Sequence, residues 1–211
     1  MRRETRNKVR ITGITSLDLD GFSFTDRTTA LSANILLSIF PFILPRLREV
    51  NLSYMPVSGR NLLYFSKHCP LLEKITLNNS FLFILDPGTL NDNWGFKAFS
   101  LNGSDMRHSN NLKEINLDSS RFKCDGLYRN AIEDLNDHPK VCMFHRCCKA
   151  LERVSIRNPR LCDEDDKAIS QDTLIKFVRN APPSLHWFRS DLTTDNMAML
   201  RIERPGIKLL N

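Results

Sequence analysis

The sequence predicts an α/β fold in which short strands and helices alternate within a repeated unit. Three observations support this prediction. The pattern L-x-x-L-x-L recurs through the chain, prolines precede several copies at a constant distance, and helix-like segments lie between copies. A strand buries alternate residues and a helix buries every third or fourth, so these two periods distinguish the two kinds of element.

Each copy of the pattern predicts one strand with a buried apolar face. The copies are 14–19, 47–52, 72–77, 112–117, 151–156 and 185–190, and Ile207 and Leu210 mark a last strand. The sixth copy keeps only two of its three apolar positions. Beyond several strands another apolar residue follows at a fixed offset, at Phe24, Val57, Phe122 and Leu161. Matches in register over five copies predict about seven strands in all.

Helical segments are predicted between the strands. Residues 61–69 and 173–179 have apolar side chains at helical spacing, and Pro70 and the pair Pro182 and Pro183 follow them. Proline cannot donate the next backbone hydrogen bond, so it is expected to end each helix. One strand–turn–helix unit cannot bury both faces of its strand, but stacked units can, with a parallel sheet inside and helices outside.

The segment CPLLEKITL, from Cys69 to Leu77, is the most specific signature in the chain. A helix ending in Cys-Pro before L-x-x-L-x-L resembles the cysteine-containing leucine-rich repeats of F-box proteins. Residues 145–154 match in part, with Cys147 and Cys148 aligned on Cys69 and Pro70. The resemblance implies a horseshoe-shaped leucine-rich repeat solenoid, with a parallel sheet on the concave face and helices on the convex face. It covers 11–211, in about six to seven irregular repeats with insertions near 81–110 and 121–142.

This resemblance also implies a function. We expect a non-catalytic protein–protein interaction module that binds a protein partner on its concave face. Substrate recognition for a cullin-type ubiquitin ligase would follow by analogy. No F-box is recognisable in the sequence, so a cullin ligase adaptor is a partner only if an F-box is supplied from elsewhere. The alternative is a scaffold or sensor repeat protein unrelated to ubiquitin.

The residues between the leucines are the candidate contact surface, because they point away from the core. Their second and third positions alternate in charge from strand to strand, which predicts ladders of ion pairs. The fifth position is small and polar until Arg189, and Trp and Arg are enriched at binding hot spots. An alternative role for Trp187 is to cover the end of the core. The candidate partner-binding residues are Asp18, Asn51, Glu73, Lys74, Thr76, Asn116, Ser155, Trp187 and Arg189.

Charge and composition argue against several classes of protein. Five basic residues and one acidic residue fall within 1–10, so this basic N-terminal arm holds most of the net charge of +6. The mixed charge elsewhere argues against nucleic acid as a partner. The most apolar run, 35–44, is shorter than the roughly 20 residues that span a bilayer. With six scattered cysteines, we expect an intracellular protein of the cytoplasm or nucleus, with reduced thiols and no membrane contact.

One dense group of possible metal ligands falls near the second insertion. It comprises His138, Cys142, His145, Cys147 and Cys148. A zinc site usually pairs two short ligand steps across a longer gap, and no separated second pair is present. No oxyanion motif or orienting group accompanies these thiols. We therefore expect no enzyme, no metal and no cofactor, and keep a metal-dependent or thiol enzyme as the weakest alternative.

Overall fold

The computed structural model describes residues 13–20, 27–83, 111–123, 148–161 and 167–211, and these residues form an α/β structure. The helices are α1 (Arg27–Ile43), α2 (Gly59–His68), α3 (Gln171–Asn180) and α4 (Thr194–Glu203). The strands are β1 (Ser16–Asp18), β2 (Glu49–Asn51), β3 (Pro56–Ser58), β4 (Lys74–Thr76), β5 (Phe81–Phe83), β6 (Glu114–Asn116), β7 (Arg121–Lys123), β8 (Arg153–Ile156), β9 (Arg160–Leu161), β10 (Lys167–Ala168), β11 (Trp187–Ser190) and β12 (Lys208–Leu210).

Seven of these strands form one parallel sheet, in the order β1-β2-β4-β6-β8-β11-β12. Each strand comes from one predicted copy of the repeat, and its neighbours are the copies before and after it. The fourth position of every copy lies in register across the sheet; Val50, Ile75 and Ile115, for example, are paired and almost fully buried. The predicted parallel sheet is confirmed for the described residues.

A second sheet, which the sequence did not predict, runs beside the first. Its order is β10-β9-β7-β5-β3, and only the β10–β9 pair is antiparallel. Its strands begin soon after those of the first sheet, and Val57, Leu82 and Phe122 bury their side chains in register. The apolar residue at a fixed offset beyond the first strand therefore marks a second strand.

A tight turn joins the first strand of a unit to the second. Its residue at positive φ is Tyr54, Asn79, Ser119 or Asn158, always two positions beyond the last apolar residue of the copy. The backbone N–H of this residue donates to the next turn, from Tyr54 to Asn78, from Asn79 to Asp118 and from Ser119 to Arg157. A left-handed conformation is unfavourable for a residue with a side chain, so these inter-unit bonds help to offset its cost.

Buried serines close the same turns from inside. The Ser80 hydroxyl donates to the Leu52 carbonyl over 2.7 Å, and the Ser120 hydroxyl donates to the Leu77 carbonyl over 2.6 Å. Both serines are fully buried, and each reaches back to the preceding unit. Neighbouring units are thus joined by side-chain as well as backbone hydrogen bonds.

The helices begin and end where local chemistry dictates. The Ser58 hydroxyl accepts from the Asn61 N–H at the start of α2, and Ser170 and Thr193 cap α3 and α4 in the same way. Helices α2 and α3 confirm the segments 61–69 and 173–179, each ending just before its proline. Helices α1 and α4 were not predicted.

The cysteine alignment needs a correction of one residue. Cys69 and Cys148 are each buried three positions before the first leucine of a copy, and each carbonyl accepts from that leucine's N–H over 3.1 Å. Cys148, rather than Cys147, is therefore the counterpart of Cys69. The copy at 151–156 has Lys149 where the copy at 72–77 has Pro70, so it lacks the proline that marks the register.

One apolar cluster unites both sheets and the four helices. Phe177 of α3 stacks on Phe188 of β11 with ring centroids 5.0 Å apart. The predicted arm 1–10 lies outside the described residues. The first residues of both predicted insertions form β5 and β7, and their remainder also lies outside. Among the residues described, no helix combines the length and apolar character needed to cross a membrane.

Candidate functional site

The candidate residues lie along one face of the seven-stranded sheet. Asp18, Asn51 and Asn116 are on β1, β2 and β6, Lys74 and Thr76 are on β4 directly after Glu73, and Ser155, Trp187 and Arg189 are on β8 and β11. The neighbouring position is buried in each of these strands except β1, where Leu17 is partly buried, so the candidates lie on the opposite face, although Ser155 is only 4% exposed there. We call this surface the exposed face of the main sheet.

Three of the candidates shape the backbone where their strands end. The side-chain oxygens of Asp18, Asn51 and Asn116 each accept from the backbone N–H two residues further on, over 2.9 to 3.1 Å. This Asx-turn geometry turns the chain away from the strand. A small polar residue at this position thus has a structural role, in addition to leaving room for a ligand.

Ion pairs cross the exposed face between neighbouring strands, as the alternating charges predicted. Among the residues at the second position of the copies, the Glu73 carboxylate lies 2.5 Å from the Arg48 guanidinium. Among the residues at the third position, the Glu114 carboxylate lies 3.1 Å from the Lys74 ammonium and 3.4 Å from the Arg153 guanidinium. All five side chains are at least one-third exposed, so each pair contributes only about 0–1 kcal/mol to stability.

Trp187 lies on the exposed face and is partly accessible. The Arg153 guanidinium carbon is 4.6 Å from the centroid of the indole ring, and that of Arg189 is 5.9 Å away. The buried aromatic residue of this strand is its neighbour Phe188, which is 1% exposed. Phe188 therefore fills the core at this strand, between Val154 and Leu209 of the neighbouring strands, and Trp187 presents an aromatic surface close to two cations.

Asp118 organises this corner of the sheet, although the sequence did not single it out. Its carboxylate accepts from the Ser155 hydroxyl over 2.7 Å and from the Arg157 backbone N–H over 2.9 Å. It also forms an ion pair with Arg189, whose Nε donates to the Ser155 hydroxyl over 2.9 Å. Asp118 and Ser155 thus fix the guanidinium of Arg189 beside Trp187.

The buried cysteine of the repeat signature is poorly suited to nucleophilic chemistry. The Cys69 thiol is buried, burial raises its pKa to about 12, and its Sγ lies 3.5 Å from the Leu44 carbonyl. Such a thiol stays protonated and is a poor nucleophile. Within the part of the chain that the structure describes, no three His, Cys, Asp or Glu side chains are grouped as metal ligands would be. Residues 138, 142, 145 and 147 lie outside that part.

Comparison with known proteins adds no assignment. No protein-family model matches the sequence, and no curated protein matches it. The functional argument therefore depends on the repeat, the two sheets and the residues on the exposed face.

Proposed function

We propose that this chain is a leucine-rich repeat solenoid of the cysteine-containing subtype that binds a protein partner. The support is architectural. Apart from the antiparallel β10, each strand in both sheets lies beside the strand of the next unit, and the same turn recurs at Tyr54, Asn79, Ser119 and Asn158. Parallel strands that follow one another across a sheet in chain order, with the same register between neighbours, are typical of stacked repeats. In this proposal the exposed face of the main sheet is the concave surface.

The observation that carries the binding function is the accessible Trp187 between Arg153 and Arg189. Tryptophan and arginine supply a large share of the binding energy at protein interfaces. Arg189 is already ordered by Asp118 and Ser155, so a partner pays less conformational entropy to contact it. The corner formed by β8 and β11 is the proposed centre of the interface.

A protein fits this surface better than nucleic acid does. Acidic Glu114 and Asp118 lie among Arg153 and Arg189, so the exposed face carries both signs within a short distance. A phosphate backbone requires a surface of one sign. A protein partner can match a mixed pattern, and such matching provides specificity.

The experiment is affinity purification from native extract with the wild-type chain and two aromatic variants. Trp187→Ala removes the proposed anchor. Phe81→Ala is the matched control, because Phe81 is 41% exposed on the second sheet with the Arg121 guanidinium 5.6 Å from its ring centroid. We expect proteins that bind the wild type and Phe81→Ala to be lost with Trp187→Ala. Equal recovery by all three folded chains would refute the proposed surface.

The finer proposal is substrate recognition for a cullin-type ubiquitin ligase, with the scaffold or sensor role as the alternative. Its support is the resemblance of CPLLEKITL to the repeats of F-box proteins, together with the burial of Cys69 at the end of α2. Cullin adaptors among the recovered proteins would support the ligase role. Recovery of other proteins alone would favour the scaffold or sensor.

A further inference from the structure

Helix α1 carries apolar side chains on its outward surface as well as on its core side. Ala33 and Leu37 face the core and are fully buried. Four large apolar residues on other sides of the helix are 44 to 61% exposed: Ile35, Leu36, Ile39 and Phe42. Ile35, Ile39 and Phe42 are spaced at i, i+4 and i+7, so they form one line along the helix. We call these three residues together with Leu36 the α1 stripe. A contiguous apolar surface of this kind marks an interaction site in many proteins.

Helix α3 provides an internal comparison. Its residues at the same spacing are Asp172, Lys176 and Arg179, and all three are exposed. Arg179 forms a bidentate ion pair with Glu203 of α4, with both distances 2.8 Å. The outward line of α3 is therefore polar and charged, as a solvated helix requires. The same line in α1 is apolar, so architecture alone does not explain the α1 stripe.

The stripe continues onto helix α2. The ring of Phe42 lies 3.9 Å from the ring of His68 and 5.7 Å from that of Tyr64, measured between centroids. These tilted contacts orient Phe42 against α2 while 44% of it stays exposed. The α1 stripe and Tyr64 together make an apolar surface across two adjacent helices.

The charged residues described on α1 and α2 and in the turn after α1 have one sign. Neither α1 nor α2 contains an aspartate or glutamate. Exposed Arg46 follows α1, and exposed Lys67 lies in the last turn of α2. A complementary partner therefore combines apolar side chains with acidic ones.

We propose that the α1 stripe docks an amphipathic helix of a partner protein, with acidic residues beside its apolar face. Ile35, Ile39 and Phe42 form a single ridge of side chains along α1, and such a ridge can pack into the groove of another helix. A second copy of this chain, using the same surface, offers no acid among the described residues of α1 and α2 to pair with Lys67. A lipid surface suits it less well, because the core side of α1 is packed and only the stripe could enter a bilayer.

The test uses two synthetic helical peptides with the same leucine line at i, i+3, i+4 and i+7. One peptide has glutamate on its flanks, and the other has lysine at the same positions. Fluorescence anisotropy with the full chain should show saturable binding of the glutamate peptide, about tenfold tighter than the lysine peptide. Ile39→Glu should lower the affinity for the glutamate peptide by at least about tenfold, and Ile39→Ser should lower that affinity less.

Two control variants isolate the site. Lys176→Glu makes the matched change on α3 and should leave peptide binding unaltered. Trp187→Ala should also leave it unaltered, which separates this surface from the exposed face of the main sheet. Equal binding of both peptides, or equal binding by wild type and both Ile39 variants, would overturn the proposal. Two other results would also overturn it. One is that Ile39→Ser abolishes only binding to vesicles of phosphatidylserine and phosphatidylcholine, and the other is that it abolishes only self-association measured by light scattering.

Discussion

Asp118 gives the sharpest test of how neighbouring repeats are held together. Its carboxylate is 18% exposed and receives three donors, from Ser155, Arg157 and Arg189. Asp118→Ala deletes all three acceptor contacts and leaves the Ser155 hydroxyl without its acceptor. Hydrogen bonds to charged groups contribute roughly 1.5–3 kcal/mol each, but water can replace part of this at Arg189, which is 34% exposed. We expect the free energy of unfolding to fall by about 2–4 kcal/mol.

The measurement is urea denaturation followed by circular dichroism. Asp20 provides a matched control, since it lies two residues beyond the end of β1 just as Asp118 lies two residues beyond the end of β6, but Asp20 is exposed. Asp20→Ala should change the free energy of unfolding by no more than about 0.5 kcal/mol. Asp118→Asn keeps the side-chain shape and loses the charge, so it should fall between the two. Similar losses for Asp20→Ala and Asp118→Ala would refute the assignment of Asp118 as the inter-repeat contact.

Two further predictions concern buried polar groups. Burial raises the pKa of the Cys69 thiol to about 12 from 9.0. The contribution of this thiol to the stability of the folded protein is therefore fully present below pH 9 and is lost as the pH rises towards 12. Between pH 8 and 10 the wild type should lose about 1.4 kcal/mol more than Cys69→Ala in urea titrations, and parallel pH profiles would contradict this. The Ser190 hydroxyl is fully buried and has no partner among the described residues. Ser190→Ala should therefore raise the free energy of unfolding by about 1 kcal/mol, and a clear loss in thermal or urea unfolding would show that the hydroxyl is satisfied.

The main sheet could be predicted because its signal is repeated and local. Val50, Ile75 and Ile115 recur with flanking apolar residues, so period and spacing both identify a strand. The signal for the second sheet was one apolar residue at a fixed offset beyond each first strand, such as Val57 or Phe122, and a single residue has no period. Its strands form because stacked units place their backbones side by side, which no single segment reveals.

The candidate site was partly predictable for a similar reason. Residue type and strand position brought Trp187, Arg189 and Ser155 together, and they do lie on adjacent strands. Asp118 was missed because an acidic residue after a strand usually indicates a solvated turn. Its role depends on Arg157 and Arg189, which are distant in sequence. The serines Ser80 and Ser120 could have been found, since both stand three residues beyond the last leucine of a copy.

Both sheets keep their strand register on either side of the segments 84–110 and 124–147. Lys74 pairs with Glu114 as directly as Glu49 pairs with Lys74, although far more chain separates the first pair. Phe81 and Arg121 are also in register. Closing a flexible loop costs only about 0.6 kcal/mol more for each doubling of its length. Segments after β5 and β7 can therefore lengthen or shorten over evolution while the sheets stay in alignment, which makes these two junctions natural points for inserting a foreign domain.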